Sequence, residues 1–176
     1  MSTDSQPKRY HPVHVTLHWL TALLVFMPLL SGFLILARTP DAQEAQFLGM
    51  HKWIGIFLGL VIIARIITRF VFKRPAPADA GHPLLNWVGA IVHFLLYAGI
   101  FAMLFSGDAL DEAYGLEGIL AGNGTMPESV MVYAEWARHS LFSYTLATLV
   151  ALHVGAALYH QFIRKDNLLS RMWYGK

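Results

Sequence analysis

Residues 139–158 read HSLFSYTLATLVALHVGAAL, an apolar run with one histidine at its start and another near its end. His139 and His153 are 14 residues apart. In an α-helix, 14 steps of about 100° return to within roughly 40° of the starting direction, and a rise of ~1.5 Å per residue separates the two positions by about 21 Å. One helix face therefore carries two imidazoles at well-separated depths.

The composition predicts a polytopic membrane protein. Apolar residues make up 56% of the 176 residues, and the mean hydropathy is +0.47. Four segments are long enough to cross about 30 Å of hydrocarbon as helices. They comprise about residues 13–37, 50–72, 84–107 and 137–163, with an external loop over about 108–136. We therefore expect an all-α fold, a bundle of four transmembrane helices that forms one membrane domain over residues 1–176.

Lysine and arginine are distributed unevenly over the connections. They occur in the N-terminal segment, after the second helix and in the C-terminal tail, whereas residues 108–136 contain six acidic residues and no lysine or arginine. By the positive-inside rule, both termini are expected on the cytoplasmic side and the acidic loop outside. The basic pI near 9.0 then reflects residues that anchor the cytoplasmic ends, and no nucleic-acid partner is expected.

Two further histidines complete two pairs at matched depths. His18 lies early in the first helix and His51 begins the second. In this orientation His18 and His153 both lie in the cytoplasmic half, and His51 and His139 both lie near the external face. Imidazole is a common axial ligand of haem iron. The sequence contains no cysteine, which excludes thiolate clusters and CxxCH attachment in this chain. The pairs therefore predict two b-type haems.

Two alternative roles for these histidines stay open. A histidine within the membrane often makes a hydrogen bond between helices. Zinc is a rival metal, although the spans offer no convincing aspartate or glutamate at matching depth. Four histidines in two depth-matched pairs favour haem iron over both alternatives.

Small residues follow the histidines on the same helix faces. Gly55 and Gly59 lie four and eight residues after His51, and Gly32 lies 14 residues after His18, level with the external haem. Glycines at these positions let a flat macrocycle lie against the backbone. For Gly55 and Gly59, a GxxxG contact between helices accounts for the spacing equally well.

Three more residues within the membrane are candidate site residues. Arg65 lies in the apolar stretch LVIIARII, where the propionates of the inner haem are natural counter-charges unless the side chain snorkels to the interface. His160 lies seven residues after His153 and could replace it as a ligand. Together with His93 it could instead hydrogen-bond the carbonyl groups of a quinone, although both could also be interfacial or interhelical histidines.

The chain resembles the bacterial cytochrome b561 family, which is related to the cytochrome b subunits of nickel-iron hydrogenases. The resemblance covers nearly the whole chain, and its most specific part is the C-terminal block. The stretches that carry it are RYHPVHVTLHWL (9–20), MHKWIGIFLGLVIIARIITR (50–69), IVHFLLY (91–97) and RHSLFSYTLATLVALHVGAALYHQFIRKDN (138–167).

This resemblance implies a multi-pass protein of the bacterial inner membrane that exchanges electrons with ubiquinone, and some short members of the family oxidise superoxide. It implies haem ligands at the four paired histidines, and it favours quinone contacts for His93 and His160. The formal charge from Asp108 through Arg138 is −5, so an anionic donor such as superoxide would need a funnel of cations from Arg38, Lys52 or Arg138.

Three hypotheses about function follow. The first is a membrane oxidoreductase that passes electrons from superoxide or another small donor to ubiquinone through two haems. The second is a membrane anchor and electron conduit for a partner subunit, a dehydrogenase or hydrogenase. The third is a haem-free transporter or scaffold, which an absorption spectrum would distinguish at once.

Overall fold

The computed structural model describes residues 8–35 and 41–174, and within these residues the secondary structure is entirely helical. Four long helices are apolar enough to cross a membrane, over Pro12–Leu34, Gln43–Val71, Pro83–Tyr114 and Ala134–Arg164. The α-helices are α1 (Pro12–Leu30), α2 (Asp41–Val71), α3 (Pro83–Tyr114), α4 (Leu116–Leu120) and α5 (Ala134–Leu158). Wider π-helical turns extend α1 over Ser31–Ile35 and α5 over Tyr159–Arg164, and short 3₁₀ turns occupy Val130–Val132 and Leu168–Met172. The expected all-α bundle with four membrane-spanning helices is therefore confirmed.

Two helices run further than the hydrophobic segments that predict them. α2 begins at Asp41 rather than near residue 50, and α3 ends at Tyr114 rather than near residue 107. The extra turns are more polar, so hydropathy alone does not detect them. Gly115 ends α3 because it adopts a left-handed conformation with φ +71°. The expected loop over 108–136 therefore starts as helix, and residues 36 and 37 of the first expected segment lie outside the described residues.

One apolar core joins the four spans. Its buried side chains are Leu24 and Val25 from α1, Leu58, Val61 and Ile62 from α2, Ile100 from α3 and Leu146 from α5. Most other large apolar side chains face outward, for example Phe70 and Phe105, which are 81% and 73% exposed. An apolar exterior around a small core is what a bundle surrounded by lipid requires.

Two histidines begin helices. Nδ1 of His11 accepts from the backbone N–H of Val13, and Nδ1 of His82 accepts in the same way from Leu84. Each histidine is followed by a proline that occupies the first helical position. These two imidazoles therefore act as helix caps.

The N-terminal and C-terminal segments pack together at one end of the bundle, which we call the termini end. Tyr10 donates its backbone N–H to the carbonyl of Arg171. The indole of Trp19 donates to the carbonyl of Met172 at 2.8 Å. The opposite end, with α4 and residues 121–133, is called the loop end.

Candidate functional site

One pair of histidines lies toward the termini end. The ring centres of His18 on α1 and His153 on α5 are 6.2 Å apart, and the ring planes are inclined by 72°. Their positions in the sequence place these two residues at matching depth and predict that they form one pair. The structure brings them together across the interior of the bundle.

The second pair lies toward the loop end and has nearly the same geometry. The ring centres of His51 on α2 and His139 on α5 are 6.2 Å apart, with an angle of 69° between the planes. α5 contributes one histidine to each pair, while α1 and α2 contribute the two partners. The fourth span, α3, supplies neither partner.

The separation within each pair suits two imidazoles that bind one metal ion from opposite sides. A metal–imidazole bond is about 2 Å long and the ring centre lies about 1 Å beyond the nitrogen, so the two ring centres should be about 6 Å apart. Haem iron leaves two axial positions for protein ligands. Within the described residues no group of three or more histidine or acidic side chains could hold a metal ion. Each pair brings two imidazoles to this separation, and two is the number of protein ligands that haem iron takes.

Serine side chains orient the loop-end pair. The hydroxyl of Ser31 lies 3.1 Å from Nδ1 of His51, and the hydroxyl of Ser106 lies 3.0 Å from Nδ1 of His139. Both contacts use Nδ1 and leave Nε2 for a metal. Hydrogen bonds of this kind fix the ring orientation of metal-binding histidines. Neither serine is a candidate site residue in the sequence, because both are far from their histidine partners along the chain.

Glycines approach the same two rings. A Cβ atom on Gly32 would lie 3.9 Å from Cε1 of His51, an ordinary contact. A Cβ atom on Gly107 would lie only 3.1 Å from Cε1 of His139. Gly107 was not among the expected site residues, although the structure leaves it less room than Gly32.

The other two candidate glycines face a different neighbour. Cβ atoms on Gly55 and Gly59 would lie 3.9 Å and 3.2 Å from methyl groups of Leu104. Leu104 belongs to α3, so these glycines allow α2 and α3 to approach each other. This placement corresponds to the GxxxG contact that the sequence left open.

Arg65 lies beside the termini-end pair. Its guanidinium donates to Nδ1 of His18 at 2.7 Å, and its Cζ lies 5.5 Å from the centre of the Tyr97 ring. Nε of Arg65 is buried and has no hydrogen-bond partner among the described residues. A buried guanidinium with a spare donor fits an anionic group such as a haem propionate.

The two candidate quinone residues occupy different surroundings. His93 is exposed on α3, its ring centre lies 5.1 Å from that of His153, and its Nδ1 lies 2.7 Å from the carbonyl of Gly89. His160 is largely buried and its Nδ1 lies 2.5 Å from the carboxylate of Asp166. His93 therefore adjoins the histidine pair, whereas His160 is held in the segment that follows α5.

A buried histidine, His14, is not among the candidate site residues of the sequence. His14 is 4% exposed and lies one turn before His18. Its Nδ1 lies 3.2 Å from the hydroxyl of Thr68 on α2, and its ring stacks on Tyr10. The spacing of four residues from His18 was the signal that could have identified it.

Carboxylates surround the cations at the loop end. Nζ of Lys52 donates to Asp111 at 2.6 Å and to Glu117 at 2.7 Å, and Arg138 pairs with Glu135. The hydrogen bond from Lys52, together with its charge, lowers the pKa of Glu117 below its usual value. The third cation considered for an anion funnel, Arg38, lies outside the described residues.

Comparison with known proteins gives consistent matches over nearly the whole chain. Residues 9–175 match the family model described as prokaryotic cytochrome b561. Cytochrome b561 homolog 2 of Escherichia coli (strain K12) is 28% identical over 178 aligned positions, which cover 98% of this chain and 95% of the relative. A probable superoxide oxidase, CybB, of Yersinia pestis is 25% identical, with 94% and 96% covered.

A third relative aligns over a similar share of both chains. Cytochrome b562 of Cereibacter sphaeroides is 27% identical to this chain, of which it covers 96%, and 97% of the relative is matched. The family model covers nearly every residue, and the four apolar helices give the chain the form of a multi-pass membrane protein. The chain therefore belongs to the prokaryotic cytochrome b561 family and is a membrane b-type cytochrome of electron transfer.

Proposed function

We propose that this chain binds two b-type haems, one between His18 and His153 and one between His51 and His139, and conducts electrons from a small donor to ubiquinone. The observation that carries the proposal is the equal separation of 6.2 Å in both pairs. Two sites with the same geometry, stacked along one bundle, suit a conduit that runs from one membrane face toward the other. When bound, the haem irons would carry single electrons by changing oxidation state.

The membrane orientation follows from charge. The termini end carries Lys8, Arg9, Arg164 and Arg171, whereas the loop end is rich in carboxylates. In the bacterial inner membrane, the positive-inside rule therefore favours an orientation with both termini in the cytoplasm. His51 and His139 then lie nearer the external face, and His18 and His153 lie nearer the cytoplasm.

His93 is the best-placed residue to bind a quinone. Its ring is exposed on the outer surface of α3, where quinones dissolve in the lipid, and it adjoins His153. With Nδ1 donating to the Gly89 carbonyl, Nε2 faces its surroundings with a lone pair. Once Nε2 is protonated from water, it can donate that proton to a quinone oxygen.

His160 suits proton supply better than direct contact with the quinone ring. Its Nδ1 is bonded to Asp166, and Asp166 lies 3.5 Å from Arg164 in the polar segment after α5. An imidazole and a carboxylate in hydrogen-bond contact can pass a proton between them. The pair lies in the segment after α5, at the termini end, where it would take up protons from the cytoplasmic side.

The complete reaction balances with superoxide as donor. Two superoxide anions lose one electron each and become two molecules of oxygen, and one quinone gains two electrons and two protons to become quinol. The relative from Yersinia pestis carries the name probable superoxide oxidase, which supports this donor. Lys52 and Arg138 are both paired with carboxylates. Among the described loop-end residues, superoxide would therefore find no unpaired lysine or arginine to attract it.

The haem content of purified holoprotein tests the proposal first. A pyridine-haemochrome assay should give two haems per chain, and an alanine at one histidine of a pair should remove or alter only the haem of that pair. One haem or none in fully loaded protein would overturn the assignment.

Reoxidation by a soluble ubiquinone analogue tests the quinone site. His93→Leu should slow reoxidation of the reduced protein while both haem spectra stay unchanged. Phe94→Leu is the matched control, because Phe94 is also exposed on the same turn of α3. Equal rates in the two variants would place the quinone elsewhere.

A further inference from the structure

Two adjoining cavities open at the termini end, and none of the four paired histidines lines them. Each has a volume of about 520 Å³, and both are lined by Arg9, Asn167 and Ser170. The residues that build them come from both termini and from the connection after α2. The two cavities therefore form one groove across the packed terminal segments.

One half of the groove is cationic. Lys8, Arg9 and Arg171 line it, and Asp166 is the acidic residue in the wall. The Asp166 carboxylate is already engaged, since it bonds to His160 and lies 3.5 Å from Nε of Arg164. The positive charge of this half is therefore largely uncompensated by the wall itself.

The other half is apolar and ends in an unsatisfied acceptor. Phe162, Trp173 and Tyr174 line it, and they are 67%, 60% and 51% exposed. Aromatic side chains near the ends of membrane-spanning helices are typical of the boundary between lipid and water. Oε1 of Gln161 is buried in the same region and has no hydrogen-bond partner among the described residues.

From this arrangement we propose that the groove binds an anionic phospholipid with a hydroxylated headgroup, of the phosphatidylglycerol type. The three cations suit the phosphate, the aromatic half suits the glycerol backbone and the start of the acyl chains, and Oε1 of Gln161 suits a hydroxyl donor. Basic pockets on the cytoplasmic side of helical membrane proteins recognise phospholipid headgroups by the same means. A quinone is neutral and leaves the cationic half without a partner.

The site ties the two ends of the chain together. Arg171 contributes a cation to the groove, donates to the carbonyl of Ala76 at 2.9 Å and accepts from Tyr10 through its own carbonyl. A lipid phosphate placed among Lys8, Arg9 and Arg171 adds one negative charge between three cations and therefore lowers the mutual repulsion that this packing creates. Bound lipid should stabilise the termini end.

The test uses full-length holoprotein in a zwitterionic detergent. Thermal unfolding and native mass spectrometry are measured with added phosphatidylglycerol, phosphatidylcholine, inorganic phosphate or a ubiquinone analogue. Phosphatidylglycerol should raise the midpoint of unfolding by about 4 °C at saturation and should be retained as one bound lipid. The double variant Lys8→Gln, Arg9→Gln should lose both the shift and the adduct.

The matched control is Lys73→Gln, Arg74→Gln, which removes the same charge from the same end of the bundle at two residues that do not line the groove. It should keep the shift and the adduct. An equal response in both double variants would overturn the proposal, since the effect would then be general attraction to an anionic lipid. An equal shift with inorganic phosphate would reassign the groove to a free anion, and an equal shift with the ubiquinone analogue would reassign it to quinone.

Discussion

The guanidinium of Arg65 donates a hydrogen bond to Nδ1 of His18 at 2.7 Å. Arginine only donates, so Nδ1 is the acceptor and the proton of the neutral ring lies on Nε2. An imidazole that binds metal through Nε2 carries its proton on Nδ1 instead. If His18 binds iron through Nε2, Arg65 must therefore give up its hydrogen bond to Nδ1 and donate to another acceptor. In the proposed site, an adjacent haem propionate would be that acceptor.

Arg65→Gln should lower the reduction potential of one haem. A positive charge beside the macrocycle stabilises its reduced, more negative state, so loss of that charge should lower one midpoint by on the order of 60 mV, about 1.4 kcal/mol for one electron. A potentiometric titration followed in the visible spectrum measures both midpoints. Arg65→Lys is the control and should retain most of the potential. If both midpoints are unchanged in Arg65→Gln, Arg65 does not adjoin a haem.

Ser106→Ala should loosen the loop-end haem. The hydroxyl of Ser106 lies 3.0 Å from Nδ1 of His139, and loss of such a partner typically weakens metal retention about 10-fold or more. Transfer of haem to apomyoglobin should become faster for one of the two haems. Ser143→Ala is the matched control, because the Ser143 hydroxyl bonds to the Ser140 carbonyl within its own helix. Equal transfer rates in both variants would contradict the assigned role.

Gly107→Ala should disturb the same haem for a steric reason. The added methyl group would lie 3.1 Å from Cε1 of His139, so the ring must move. We expect the low-spin signal of one haem to broaden or to convert to high spin, as measured by electron paramagnetic resonance. Gly32→Ala should have little effect because its methyl group would lie at an ordinary distance of 3.9 Å from His51. A normal spectrum for Gly107→Ala, or an equal defect in both variants, would count against this prediction.

The sequence predicted the long-range architecture well because hydrophobic length and helical period determine it. Fourteen residues between His139 and His153 already require one face and two depths. The charge distribution then paired His18 and His51 with the histidines that lie opposite them in the structure, at ring distances of 6.2 Å in both pairs. The number of membrane-spanning helices, the shared face of His139 and His153, and the depth of each histidine could therefore be predicted from the sequence.

The hydrogen-bond and ion-pair partners of these residues on neighbouring helices could not be predicted from the sequence. Ser106 is 33 residues before His139, and no periodicity links them. The same limit applies to Lys52, whose carboxylate partner Asp111 lies on an extension of α3 that hydropathy does not detect. Such pairs depend on the rotation of one helix against another, which packing sets and composition does not reveal.

Glu117→Gln should destabilise the loop end in a pH-dependent way. The hydrogen bond and charge of Lys52 lower the pKa of Glu117 below its usual 4.5. A lowered folded-state pKa contributes stability that is present above pH 4.5 and is lost as the pH falls through the folded-state pKa. The difference in unfolding midpoint between wild type and Glu117→Gln should therefore exist at neutral pH and disappear in acid. Glu112→Gln is the control, and a difference that is constant over this range would refute the linkage.

The rate of electron uptake from superoxide should rise with ionic strength. From Asp108 through Arg138 the formal charge is −5, and Lys52 and Arg138 are paired with carboxylates, so an anion is repelled from the loop end. Salt screens this repulsion, because the Debye length falls from about 30 Å at 0.01 M to about 8 Å at 0.15 M. We expect roughly a twofold faster haem reduction by generated superoxide over that range, measured by stopped-flow absorbance. A neutral quinol donor serves as control and should be insensitive to salt. A rate that falls with salt would instead indicate a cationic funnel, and its cations would then have to include residues outside the described part of the chain.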